Sequence, residues 1–175
     1  MTTPKKDVQT VKPTGDSVAP RIDGVQVRLA VTIPDERGEI CEMYSPAWGL
    51  SDEPLVYVYQ VVIRPYQIKG WTVHQLQSDR LFFSSGAAKI VLYDNRADSP
   101  THKMVNEIFL TERNRGLVVI PPDVYHVVQN VGDTEVVFIN MPTRPYDHAD
   151  PDKYRLPLNN DLIPYRFPSG LGNGE

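Results

Sequence analysis

The chain has 175 residues, of which 41% are hydrophobic and 23% charged, with a net charge of −4 and an isoelectric point near 5.6. That length suits one domain able to bury about two thirds of its unfolded surface. The acidic balance, with no clustered Lys/Arg face, excludes nucleic-acid wrapping, and no apolar run approaches the length of a membrane-spanning helix.

Residues 1–20, MTTPKKDVQTVKPTGDSVAP, are polar and proline-punctuated and are expected to form a flexible arm. They contain no apolar stretch of the signal-peptide type. Cys41 is the single cysteine, which rules out an intrachain disulfide and suits a reducing compartment, so a cytoplasmic location is expected.

From residue 21 the apolar residues repeat every second position, the period of a strand. Val25 to Val31 alternates and stops at Pro34; Val56, Val58 and Gln60 lead into the apolar Val61 to Ile63. Further runs are Trp71 to Gln77, Arg80 to Ser84, Ala88 to Tyr93, Val105 to Leu110, Leu117 to Ile120, Tyr125 to Val131 and Glu135 to Met141. Turn-forming stretches such as DERG, DNRADSP, ERNRG and VGDTE separate them. After Met141 the prolines and aspartates of PTRPYDHADPDKYRLPLNND predict an irregular wrap with one short helical turn, and residues 169–175 read as a loose tail. Many short strands divided by turns predict an all-β barrel or jelly roll over residues 21–168, of a kind that can hold one ligand inside.

Ionisable groups interrupt these runs. Thr72 and His74 lie two residues apart, so an extended strand turns both to one face. Asp79 opens an otherwise apolar run, and a carboxylate facing a barrel interior costs several kcal/mol unless it meets a cation or donors. Arg80, Lys69 and Arg64 are near enough in sequence to be its partners.

Two stretches resemble the motifs of the cupin superfamily. Thr72, His74, Asp79 and Gly86 fill the slots of the first motif, and Pro121, Asp123, His126 and Asn130 those of the second. From about Asp35 to Asp161 the chain resembles dTDP-4-dehydrorhamnose 3,5-epimerase. The matching segments are DERGEICEMY, YDNRADSPT, LTERNRGLVVIPPDVYH and FINMPTRPY. The resemblance implies a double-stranded β-helix, a nucleotide-sugar substrate, a homodimer that exchanges N-terminal strands, and proton abstraction beside a carbonyl. Thr72 stands where the family's base histidine belongs, no C-terminal aspartate segment matches the base's partner, and Asp79 replaces a lysine.

The leading expectation is therefore a divergent epimerase or isomerase that needs no cofactor. His74 would be the base, Tyr146 the acid and His126 the polarising group, with Arg37, Glu42, Gln60, Lys69, Thr72 and Asn140 as substrate contacts. The alternative is a metal-dependent cupin holding Fe, Mn, Ni or Zn on His74, Asp79 and His126. A third possibility is a binding module that keeps the pocket without turnover.

Overall fold

The computed structural model describes residues 3–13, 17–168 and 172–174. The alternating runs become strands β1 (Gln26–Leu29), β2 (Thr32–Asp35), β3 (Gly38–Cys41), β4 (Tyr59–Ile63), β5 (Gln67–Val73), β6 (Asp79–Ser85) and β7 (Ala87–Asp94). They continue with β8 (Val105–Thr111), β9 (Gly116–Ile120), β10 (Val124–Asn130), β11 (Val136–Asn140), β12 (Tyr154–Arg155) and β13 (Gly172–Gly174).

One sheet has the order β1-β9-β6-β11-β4 and the other β12-β5-β10-β7-β8, with β13 beside β5; β2 and β3 form a separate hairpin. The two sheets face each other as a jelly roll. Their inner faces interlock through Leu81 and Phe83 of β6, Ile90 and Leu92 of β7, Val118 and Ile120 of β9, and Val136 and Phe138 of β11.

The outer faces are covered too, which explains why β6, β7, β9 and β10 read as nearly continuous apolar runs. Trp71, Val91 and Val127 on the back of the six-stranded sheet pack beneath Leu158, Ile163 and Phe167 of the C-terminal wrap. Phe82, Leu117 and Val119 on the back of the five-stranded sheet pack beneath Tyr44 and Trp48. Arg80, fully buried, fastens that cover with hydrogen bonds to the carbonyls of Glu53, Pro54, Met141 and Pro142 and to the Tyr44 hydroxyl. Its charge is thus met by carbonyl dipoles, and Asp79 is left to other partners.

Several boundaries differ from the sequence expectation. The strand expected over Trp71 to Gln77 begins at Gln67 and ends at Val73, because the Asp152 carboxylate accepts the N–H groups of Gln75, Leu76 and Gln77 and takes them away from any ladder. The helical turn expected after Met141 is not found there among the described residues. A 3-10 turn occurs instead at Pro46–Trp48, capped by the Ser45 hydroxyl, whereas the wrap's repeated prolines lack the N–H a helix needs. The described part of the N-terminal arm is exposed; the Val18 N–H bonds the Thr10 carbonyl within it, and Asn106 Nδ2 of β8 donates to the Pro20 carbonyl at its end. The expected tail falls partly outside the described residues, and its stretch Gly172–Gly174 runs parallel to β5. No helix among the described residues is long and apolar enough to cross a membrane.

Two glycines fix the barrel's close approaches. Gly70 has φ +123°, and a Cβ there would lie 2.7 Å from the His126 carbonyl oxygen, so only glycine lets β5 come this near β10. Gly86 has φ +79°, and a Cβ there would lie 2.4 Å from the Glu135 carbonyl oxygen. Gly86→Ala should therefore cost about 2–3 kcal/mol through backbone strain and overlap. Urea denaturation would read this as a lower midpoint with an unchanged slope.

Candidate active site

Both sheets contribute to a chamber of about 150 Å³ at one end of the barrel. The six-stranded sheet supplies Lys69 and Thr72 from β5, His74 just past its end, and His126 from β10. The five-stranded sheet supplies Tyr59, the first residue of β4, Asp79, the first of β6, and Asn140, the last of β11. Strict alternation would send Lys69 and Thr72 to opposite faces. A register shift permits both to face inward, since His126 pairs with Thr72 while Val128 pairs with Lys69.

The centre of the chamber is Asp79, 3% exposed. Its Oδ2 lies 3.3 Å from His74 Nε2 and 3.4 Å from His126 Nε2, and its Oδ1 accepts from Gln77 Nε2 at 3.0 Å. The two imidazoles stack with centroids 5.5 Å apart. Burial opposes ionisation of Asp79, but the His74 hydrogen bond, the charges of His126 and His74, and a bond from Asn140 outweigh it and bring the carboxyl down to about 2.

The histidines diverge. His74 Nδ1 is hydrogen-bonded to the Asp152 carbonyl oxygen. A carbonyl only accepts, so Nδ1 carries the proton and Nε2 is the atom that gains or loses one. Burial disfavours its cation, yet the bond and charge of Asp79, with help from Asp152, raise His74 above 6.5. Burial dominates at His126, together with the charge of His74, and lowers it to about 4 although Asp79 pulls the other way. His126 is therefore neutral near pH 7, and His74 is the basic member of the pair.

An outer chamber of about 350 Å³ adjoins this one, lined by Tyr57, Pro142, Arg144, Tyr146 and Asp147. Tyr59, His74 and Lys153 line both spaces and mark their junction.

His74, Asp79, His126, Lys69, Thr72 and Asn140 thus come together. Tyr146 stays in the outer chamber, 44% exposed, with its ring edge against His148. Arg37 and Glu42 are remote in the single chain: Arg37 is 81% exposed on the β2–β3 turn and paired to Asp35, while Glu42 follows β3. Gln60 is exposed and lines neither chamber, because alternation along β4 turns Tyr59 inward and Gln60 outward. Asp79 pairs with the two histidines and not with Arg80, Lys69 or Arg64 as its sequence neighbours suggested.

Tyr59, Gln77, Asp152 and Lys153 were not anticipated. Counting alternation forward from Tyr57 could have found Tyr59; the other three are placed by the fold of the 74–78 loop and the wrap, which no local pattern encodes.

Sheet topology and a buried polar chamber define the protein as a cupin. No protein-family model matches the chain. It is 32% identical over 141 residues to the "Probable low-salt glycan biosynthesis epimerase Agl13" of Haloferax volcanii, covering 80% of this chain and 90% of that protein. It is 31% identical over 150 residues to the spore coat polysaccharide biosynthesis protein SpsL of Bacillus subtilis, covering 83% and 96%. Among solved structures, a dTDP sugar isomerase from Desulfovibrio desulfuricans superposes with a TM-score of 0.76 at 26% identity, over 83% of this chain and 91% of that one. The chain belongs to this family of sugar epimerases and isomerases, the cupins related to dTDP-4-dehydrorhamnose 3,5-epimerase, and is an enzyme of the epimerase and isomerase class.

The electrostatics fix the sign of one pH effect. In the unfolded chain His126 takes up a proton near 6.5, but in the fold only near 4, so acidification across that window favours unfolding. Between pH 7.5 and 4 the chelator-treated wild type should lose about 3 kcal/mol relative to His126→Gln, measured as the difference between their urea-unfolding free energies. Parallel pH curves for the two proteins would refute the assignment.

Proposed function

We propose that the protein moves a proton at a carbon beside the carbonyl of a keto sugar linked to a nucleoside diphosphate, so epimerising or isomerising that sugar. The observation that carries this reading is His74. Its Nδ1–H is held by a backbone carbonyl, leaving Nε2 as the proton-accepting atom, and Asp79 beside it stabilises the imidazolium that abstraction creates. In this arrangement the base would stand at position 74, where the family resemblance puts one at 72, with the Asp152 carbonyl orienting its ring through Nδ1 and the Asp79 carboxylate at the start of β6 stabilising its cation.

A developing enolate would meet Lys69 and Lys153 in the chamber wall, with neutral His126 nearby. Such a transfer requires no cofactor. The remainder of the substrate would occupy the outer chamber, beside Tyr146. A compartment supplied with nucleotide-linked sugars, the cytoplasm, suits this chemistry.

A metal-dependent reading is favoured by a different feature of the same residues. The three ligand atoms of His74, Asp79 and His126 all lie within 4.8 Å of one another. Each histidine also has Nδ1 near a backbone carbonyl, Asp152 for one and Val124 for the other, as metal-bound imidazoles do. The donor set fits Fe, Mn, Ni or Zn, which would act as a Lewis acid. The two readings exclude each other at one atom, because the His74 Nε2 lone pair cannot serve both a metal and a proton.

The dimer belongs to the same proposal. The β2–β3 hairpin carries Ile33 and Ile40, 60% and 65% exposed and directly paired, with Val31 66% exposed beside it. Burying this apolar hairpin against a second copy would cover it and could bring Arg37 and Glu42 to that copy's outer chamber. Light scattering should give a mass of two chains for the wild type and one for the Ile33→Glu/Ile40→Glu variant; a monomeric wild type would refute the dimer.

Solvent deuterium wash-in to a dTDP-linked 4-keto-6-deoxy sugar tests the chemistry, with metal analysis alongside. We expect chelator-resistant exchange, substoichiometric metal, and a loss of roughly 100-fold or more in His74→Asn. Because the base must be unprotonated, kcat/KM should fall as the pH drops through a value above 6.5, and Asp79→Asn should move that limb to lower pH. Stoichiometric metal with chelator-sensitive exchange would establish the metal reading, and tight binding without exchange would indicate a binding module.

A further inference from the structure

Asn140 is 3% exposed and contains an unusual loose end. Its Nδ2 donates to the Tyr59 hydroxyl oxygen at 2.8 Å, and its amide helps stabilise the Asp79 anion. A carboxylate can only accept, which fixes the amide with its NH₂ toward Asp79 and Tyr59. Its Oδ1 then has no partner among the described residues, although it is buried and Asn140 lines the inner chamber. A buried orphan acceptor in a native structure calls for an explanation, and a ligand donor is the one this chamber can supply.

Tyr59 shares the arrangement. Its oxygen accepts from Asn140, so its own O–H is not used in that bond, and no acceptor for it occurs among the described hydrogen bonds. It stands at the junction of the two chambers, on the wall formed by β4 and β11, whereas His74 lies at the end of β5 on the other sheet. Burial and the nearby Asp79 raise the phenol to about 12, so it is protonated throughout the neutral range. Tyr146 is exposed in the outer chamber only.

We infer that Tyr59, and not Tyr146, is the acid that returns the proton from the wall facing His74, and that Asn140 orients it while its free carbonyl oxygen takes a hydroxyl of the sugar ring. This rests on the proton-transfer reading and adds to it a division of labour: the base works from one sheet and the acid from the other. Protonating the opposite side of a planar enolate inverts the carbon. The proton removed goes to His74 Nε2, a different proton leaves Tyr59, and solvent restores both groups, so no oxidant or reductant is required.

The test separates exchange from turnover in the full-length protein, with a dTDP-linked 4-keto-6-deoxy sugar as probe. His74 alone can remove a proton and return deuterium to the same face. Tyr59→Phe should therefore keep deuterium wash-in within about threefold of wild type while formation of inverted or isomerised product falls roughly 100-fold. Tyr146→Phe, which alters only the outer chamber, should change exchange and product formation by the same factor. Asn140→Leu, a positioning variant, should reproduce the exchange-without-product behaviour and also weaken binding of dTDP-glucose, but not of dTDP, by about tenfold. Thermal melts on each variant exclude unfolding as the cause. Wild-type product formation by Tyr59→Phe, parallel loss of exchange and product, or a product defect confined to Tyr146→Phe would overturn the assignment. No exchange by the wild type would refute the proton-transfer reading itself, and the Tyr59 role with it.

Discussion

The site depends on one buried carboxylate. Asp79 is enclosed at 3% exposure, where an ionised oxygen is tolerated only if donors and positive charge converge on it. Gln77, Asn140 and two imidazoles do so, drawn from the 74–78 loop, both sheets and the end of β5. Removing any one of them leaves the remainder with an uncompensated charge, so these side chains constrain one another's positions and the chamber has a single arrangement.

The same carboxylate separates two histidines that look alike. Their distances to Oδ2 differ by a tenth of an ångström and both are 8% exposed. What distinguishes them is that burial outweighs Asp79 at His126 but not at His74, and the second neighbour widens the gap. His74 also has the carbonyl and charge of Asp152, whereas His126 has the repulsion of His74 and Lys153. One imidazole is thereby made more basic and the other less, which is how adjacent titratable groups come to hold opposite roles near neutral pH. Asp152 belongs to the wrap that β12 stitches onto β5, with Tyr154 opposite Val73 and Arg155 opposite Thr72. Its carboxylate holds the 75–77 amides while its carbonyl holds the His74 ring. A segment that looks like a loose covering is therefore what fixes the His74 ring.

The fold was largely legible because strand period, turn residues and cupin spacing all point to the same barrel. His74, Asp79 and His126 were legible for the same reason: each interrupts an apolar run at a position whose inward direction follows from the alternation. The failures have separate physical causes. Gln60 was read as inward when its neighbour Tyr59 is, a one-residue error that flips a side chain across a sheet. The β2–β3 hairpin escaped notice because its apolar residues face outward in the single chain and make no contrast with a polar face. Asp152 and Lys153 could not be located at all, since their place is determined by tertiary contacts such as the Trp71 indole N–H on the Leu158 carbonyl.

Thr72 shows why the substitution in the motif is compatible with chemistry. Its Cα partner across the ladder is His126, whose ring stacks on His74. A histidine at position 72 would point into the chamber beside that stack and crowd it, whereas threonine is small enough to leave the two imidazoles face to face over Asp79. Two residues along a strand amount to about 6.6 Å, so a base at 74 in place of 72 would stand at the junction of the chambers, which His74 lines, and not in the inner space alone, as Thr72 does. On the proposed function the reacting carbon would lie at that junction, with the rest of the ring in the inner space among Asn140, Lys69 and His126 and its linkage leading outward past Tyr57 and Tyr146. The position of His74 and the course of the wrap are thus coupled: past the strand's end its backbone keeps one cross-strand bond, from the Asp123 N–H to its carbonyl, and the Asp152 carbonyl holds its ring.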